Sequence, residues 1–323
     1  MTGTTYLRAI TATLAEAMRA DPRVLVIGED VAEGGPWGAT AGLAEEFGAE
    51  RVRNTPISEA AICGIAIGAA QSGLRPVVEI MFVDFVTLAL DQLVNQAAKA
   101  HFMSGGQLRV PMVLRTQGGA GQRGGAQHSQ SLEAWLTHVP GLKVVMPSTA
   151  ADAAGLLASA IADDNPVVYV ENKTLYFRSE EVEPTGPVPL GRAQVVRSGR
   201  DVTVVALSRL VHESLAATEE LAAEGIEVEV IDPRTLVPLD LDAIVESVAR
   251  THRLVVAHEA VKHGGFGAEI AALVQAAAFD ELDAPIARVG APFTPIPFSP
   301  PLEDAYLPGK DDVRAAVLSL LGR

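Results

Sequence analysis

Leu7, Ile10, Leu14, Ala17 and Met18 recur at helical spacing, so residues 5–20 read as an amphipathic helix, ended by Asp21-Pro22. The pattern then changes period. VLVIG (24–28) has no polar interruption and reads as a buried strand, followed by the acidic pair Glu29 and Asp30 and the glycine-rich loop EGGPWG (33–38). RVRN (51–54) suggests a short strand. Ser58 is placed to cap an apolar helix over about 59–72, with Glu59 in its first turn. PVVEIM (76–81) predicts a strand and 84–100 a helix. VPMVLR (110–115) predicts a strand, SLEAWL a short helix, LKVVMP (142–147) a strand, 149–162 a helix and PVVYV (166–170) a strand.

Residues 172–190 break the rhythm with Pro, Glu and polar residues and read as a linker. Alternation then restarts: strand 201–207, helix 214–225, strand 226–232, helix 240–250, strand 253–259, helix 264–279, a proline-rich irregular stretch 291–301 and a last helix 311–322. The expected fold class is therefore α/β, with two domains, each a mostly parallel sheet flanked by helices. The first domain is placed at 1–186, including the linker from about 172, and the second at 187–323.

Composition narrows the classes of function. The 323 residues carry 40 acidic and 25 basic side chains, a formal net charge of −15, with no basic stripe of the kind a nucleic-acid binder shows. Cys63 is the one cysteine, so an intramolecular disulfide and a cysteine zinc site are excluded, and it reads as small core filler. The N-terminal residues lack a basic stretch followed by an apolar one, and no apolar run approaches the roughly 20 residues of a membrane span. A cytoplasmic protein without membrane partners is the expectation.

Two places hold candidate chemistry. Gly119, Gly121 and Gly124 spell G-x-G-x-x-G inside TQGGAGQRGGAQHSQ (116–130). A dinucleotide site needs a helix opening on those glycines and an acid at the end of the next strand. Neither follows here, and no P-loop motif occurs, so a nicotinamide oxidoreductase is disfavoured. The stretch reads as a flexible loop carrying His128, either a functional imidazole or a surface residue. Glu59 opens an almost wholly apolar helix. It is either a first-turn acid favoured by the helix dipole or a carboxyl able to share a proton with a ligand nitrogen.

TPISE (55–59), GLRPVVEIMFVDF (73–85), DQLVNQAAK (91–99), MSGG (103–106), AQHSQ (126–130) and PGLKVVMPSTAADAAGLL (140–157) resemble the beta subunits of the thiamine-diphosphate-dependent 2-oxoacid dehydrogenases. Pyruvate, branched-chain 2-oxoacid and acetoin dehydrogenases belong to that group, and the likeness runs over nearly the whole chain. It implies a transketolase-like pyrimidine-binding domain followed by a transketolase C-terminal-like domain, with thiamine diphosphate lying between subunits. Glu59 matches the glutamate that hydrogen-bonds the pyrimidine N1′ and so favours the tautomer that deprotonates the thiazolium. His128 matches the loop histidine that holds and protonates intermediates during acyl transfer to a lipoyl group.

The resemblance further implies cofactor-binding roles for Glu29, Ile57, Met81 and Phe85. Phe85 would pack on the pyrimidine, Ile57 and Met81 would line it, and Glu29 would join the proton network. Core packing for the three apolar residues, and capping or a surface position for Glu29, are the plain alternatives. A monovalent cation, potassium, is implied at Asp163, Asn165 and the carbonyls of Met112 and Ala160; a helix C-cap with turn-forming Asp and Asn accounts for the same residues. No G-D-G segment occurs in the chain. The resemblance implies that magnesium and the pyrophosphate are held through such a segment on an alpha subunit, in a heterotetramer of two alpha and two beta chains. A dihydrolipoyl acyltransferase core, through its basic subunit-binding module, is the second implied partner. The substrate stays open between a pyruvate-like 2-oxoacid, a branched-chain one and acetoin. The loop's Gln122-Arg123 pair departs from the pattern of any one subgroup. A noncatalytic scaffold subunit is the alternative class, and the presence of both Glu59 and His128 argues against it.

Overall fold

Short runs rich in β-branched residues become the inner strands of two separate sheets in the computed structural model, which describes residues 3–181 and 186–323. The chain divides into two units, Met1–Gly118 with Trp135–Leu190, and Gly119–Ala134 with Gly191–Arg323.

In chain order the first part comprises β1 (Gly3–Thr5), α1 (Tyr6–Ala20), β2 (Val24–Gly28), α2 (Leu43–Phe47), β3 (Val52–Asn54), α3 (Glu59–Gln71), β4 (Arg75–Ile80), α4 (Val83–Val86) and α5 (Ala98–Met103). It continues with β5 (Val113–Gly118), α6 (Glu133–Thr137), β6 (Lys143–Val145), α7 (Ala150–Ala162), β7 (Val167–Asn172) and β8 (Ser179–Glu181). The first unit's sheet runs β6-β7-β5-β4-β2-β3, and every neighbouring pair is parallel. Strands β2, β5 and β7 are buried along their whole length, as expected of a parallel sheet covered on both faces. On one face α1 packs against α7, where Ile10, Leu14, Met18, Leu156 and Leu157 share one apolar core. Thr5 caps α1 by accepting the Arg8 N–H at 3.2 Å.

Several local expectations change. The helix over 84–100 is broken into α4, a 3-10 turn at Thr87–Ala89, a π-helical turn at Gln92–Ala97 and α5. The polar residues Asp91, Gln92, Asn95 and Gln96 interrupt its apolar stripe, and the widened turn keeps Leu93 and Ala97 buried. The strand read at 110–115 begins instead at Val113, because Pro111 cannot donate to a central ladder. Ser58 makes no side-chain cap bond. The stretch read as a linker is structured as far as Glu181, where β8 pairs antiparallel with β1; residues 182–185 of it lie outside those described.

The second unit contains β9 (Gln194–Arg197), β10 (Val202–Ala206), α8 (Arg209–Ala223), β11 (Val228–Asp232), β12 (Thr235–Val237), α9 (Leu241–Thr251), β13 (Leu254–Val261), α10 (Gly267–Ala278), β14 (Ala287–Ala291), α11 (Pro300–Tyr306) and α12 (Lys310–Leu320). Its sheet runs β14-β13-β10-β11-β9, parallel except for the antiparallel edge strand β9. The α/β architecture with mostly parallel sheets is therefore present in both units. Helix α8 starts at Arg209 rather than 214, since Leu210 and Val211 are buried in the core. The proline-rich stretch ends in a helix: Pro300 and Pro301 sit at the start of α11, where the missing N–H costs nothing.

Candidate active site

Open α/β sheets place ligand groups at the carboxyl ends of their strands. At the end of β2, the Thr55 N–H donates to the Gly28 carbonyl at 2.9 Å, which lays segment 55–59 beside Glu29. Glu59 is the first residue of α3 and is half-buried. Burial holds the Glu29 carboxyl above its ordinary range, and the charges of Asp30 and Glu59 push it the same way. The structure thus brings Glu29 and Glu59 into one electrostatic environment. Cys63, one turn along α3, is fully buried, and its thiol is pushed up to about 12 by burial and then by Glu59. That makes it an inert core residue.

Ile57 is 74% exposed, which excludes the plain core-packing alternative for it. Met81 and Phe85 follow β4 and are half-buried. Phe85 meets Phe82 edge to face, with ring centroids 5.7 Å apart, and the buried Lys173 holds its ammonium 5.0 Å over the Phe82 ring.

Within the sheet that carries these residues lies a buried ionic cluster that no local sequence signal announced. Arg115, fully buried on β5, donates from Nε and Nη2 to Glu171 on β7 at 2.7 and 2.9 Å, and from Nη1 to Glu79 on β4 at 2.6 Å. The Tyr176 hydroxyl also donates to Glu171. Burial raises the proton affinity of Glu79 while Arg115 lowers it.

His128 lies in a segment that clusters with the second unit. The loop closes on itself, with the Gly119 N–H donating to the Gln130 carbonyl at 3.0 Å. Its glycine-rich backbone donates to two buried carboxylates. Glu259 accepts the Ala120 N–H at 2.6 Å, and Glu303 accepts those of Gly121 and Arg123 at 2.9 and 3.1 Å. Ala120 packs with Ala291, Ile296 and Tyr306. Gly124 explains one glycine directly: a Cβ there would stand 3.2 Å from the His128 Cβ and 2.9 Å from the Ser129 Oγ. The glycines thus serve closure of the loop around His128. Glu259 and Glu303 were missed because they lie about 140 and 180 positions from their partners.

The residues considered for a cation gather at the C-terminus of α7. Asp163 Oδ1 accepts both the backbone and side-chain N–H of Asn165 at 2.9 Å, and Oδ2 accepts Lys143 Nζ. The Met112 carbonyl accepts the Val167 N–H at 3.0 Å, and that of Ala160 the Asp163 N–H at 3.3 Å. Asp163's carboxylate is thus neutralised by an ammonium. Second lone pairs of the two carbonyls and of Asp163 Oδ2, with the Asn165 side-chain oxygen, are the acceptors left for an ion. Among the described residues no group of three or more His, Cys, Asp or Glu could hold a metal, and no helix is long and apolar enough to cross a membrane.

Comparison with known proteins matches the described architecture in order along the chain. Residues 3–178 fit the pyrimidine-binding domain of transketolase and residues 191–313 the transketolase C-terminal domain. The beta subunit of the acetoin:2,6-dichlorophenolindophenol oxidoreductase of Bacillus subtilis is 49% identical, over 97% of this chain and 96% of that one. The pyruvate dehydrogenase E1 component subunit beta of Rickettsia felis is 48% identical, over 97% of each. A solved split-gene transketolase, described as an inactive beta4 tetramer, superposes with a TM-score of 0.82 at 26% identity over 99% of both chains. The chain belongs to the transketolase-like family, among the beta subunits that include those of pyruvate dehydrogenase E1 and acetoin dehydrogenase.

Proposed function

We propose that this chain is the beta subunit of a thiamine-diphosphate-dependent 2-oxoacid dehydrogenase component. With an alpha subunit it decarboxylates a pyruvate-like 2-oxoacid and transfers the acyl group to a lipoyl arm. The observation that carries this reading is the shared environment of Glu29 and Glu59 at the carboxyl end of a parallel sheet. Thiamine diphosphate held there would supply an electron-accepting thiazolium for carbon–carbon cleavage. Glu59 holds a proton at the pyrimidine N1′. Glu29, already biased toward the protonated form, sits beside it as a second proton site. Phe85 and Met81 present ring-sized apolar surface, and the exposed Ile57 presents more. His128 holds and donates a proton during acyl transfer.

An alpha subunit with magnesium is supported from two sides. The chain lacks the G-D-G segment, and its first unit exposes apolar surface. Phe102 and Met103 on α5 are 88% and 77% exposed, beside a groove of about 520 Å³ between α3 and α5. A heterotetramer of two alpha and two beta chains and docking on a dihydrolipoyl acyltransferase core complete the assembly proposed. A potassium ion on the Met112 and Ala160 carbonyls, beside Asp163 and Asn165, remains part of the reading, tested by activity in potassium-free buffer. The 49% identity to an acetoin-oxidising subunit favours acetoin cleavage as a second reading.

Calorimetric titration with thiamine diphosphate and magnesium tests the shared site. Binding is expected only after the alpha subunit is added; tight binding by the isolated chain would contradict it. Glu59→Gln with alpha present should lower decarboxylation by roughly 100-fold or more. Wild-type turnover would reject the N1′ role.

A further inference from the structure

Arg123 holds a positive φ of 60°, a conformation rarely adopted outside glycine and asparagine. Three of its donors are engaged around one helix. Its backbone N–H and its Nη1 both reach Glu303 Oε2, at 3.1 and 2.7 Å, Nη1 also reaches the Pro300 carbonyl at 3.0 Å, and Nη2 reaches Asp304 at 2.7 Å. The other oxygen of Glu303 accepts the Gly121 N–H at 2.9 Å. Glu303 is fully buried. A buried carboxylate is costly unless its acceptor sites are filled, and it is the loop, rather than the helix carrying Glu303, that supplies these donors. The next residue, Gly124, lies against His128, within 3.2 Å of the histidine Cβ for a methyl built on its Cα. A short, close-packed path therefore runs from Glu303 through Arg123 and Gly124 to the imidazole-bearing residue.

We infer that Arg123, Glu303 and Asp304 form a latch that fixes the position of His128. They are positioning residues, acting through His128 and not on substrate. The inference rests on the acyl-transfer role proposed for His128, and it assigns a use to the arginine that sets this loop apart. Half of the latch, Arg123 and Asp304, reaches solvent, with side chains 35% and 63% exposed, so it can be cut without opening the core.

The test uses the full chain with labelled histidines, then the same variants with the alpha subunit. Arg123→Ala should shift and broaden the His128 ring signals, and Glu303→Gln should also speed amide exchange at Gly121 and Arg123. In the assembled enzyme Arg123→Ala should slow lipoyl acylation roughly 10- to 100-fold. Dye-linked decarboxylation should stay within about twofold, and the double variant with His128→Ala should be no slower than His128→Ala alone. Unchanged His128 signals in both variants, or additive losses in the double variant, would overturn the latch. If the signals move but His128→Ala acylates like wild type, the latch stands and the acyl-transfer role falls.

Discussion

Arg115 Nη1 lies 2.6 Å from Glu79 Oε2, with the two side chains 0% and 1% exposed. An ion pair so far from water is held by mutual dependence. Removing the arginine leaves two buried carboxylates, Glu79 and Glu171, without their partner. Arg115→Leu should therefore cost about 3–5 kcal/mol in urea unfolding of the full chain. Arg19→Ala, which breaks a surface pair with Glu46, should cost less than about 1 kcal/mol. Equal losses at the two positions would remove the special standing of the buried cluster.

Glu29 is raised first by burial and only then by Asp30 and Glu59. Glu59→Gln should consequently bring the Glu29 titration down, yet leave it above the ordinary carboxylate value. Carbonyl-carbon NMR of selectively labelled glutamate reads this directly. A Glu29 titration that ignores the substitution would separate the two acids.

Glu133 is 1% exposed, its Oε2 finds no partner among the described residues, and burial lifts its carboxyl to about 7, with Glu259 adding. From its ordinary value up to about 7, the unfolded chain releases a proton that the folded chain keeps. Stability should fall as pH rises through that window and level off beyond it. Glu133→Gln should flatten the slope and recover up to about 3 kcal/mol at pH 8. Thermal unfolding between pH 4.5 and 8 checks it, and an unchanged slope would place the titration elsewhere.

His258 is fully buried on β13, where its Nδ1 lies 3.1 Å from the Ala260 carbonyl that accepts its proton. Burial depresses it to about 4, so stability should be lost as pH falls from about 6.5 toward 4, when the unfolded chain protonates first. Its ring is walled by glycines: a Cβ at Gly267 would stand 2.7 Å from Nε2 and 2.6 Å from Cδ2. Gly267→Ala should cost roughly 1–3 kcal/mol, read from the unfolding midpoint. A neutral outcome would mean the ring can move aside.

Much of the frame was legible because its signals are local. VLVIG and PVVYV are buried on both faces, and such strands leave an uninterrupted apolar run. Strands β1, β8 and β14 were not legible: short, polar or glycine-bearing, they owe their pairing to distant partners. The same division holds in the site. Glu59 stood out against an apolar helix, and His128 against glycines. Glu303 gave no signal in PPLEDAY, nor Arg115 in VLRTQG, because a buried charge is explained only by partners far along the chain.

The segment 119–134 has a topological consequence. The chain passes from one unit to the other at 118/119, returns at 134/135 and leaves again at 190/191. A gene cut near residue 190 would therefore not yield two self-sufficient halves. The downstream product would lack the loop that fills the Glu259 and Glu303 acceptors, and the upstream product would carry that loop with nothing to fasten it.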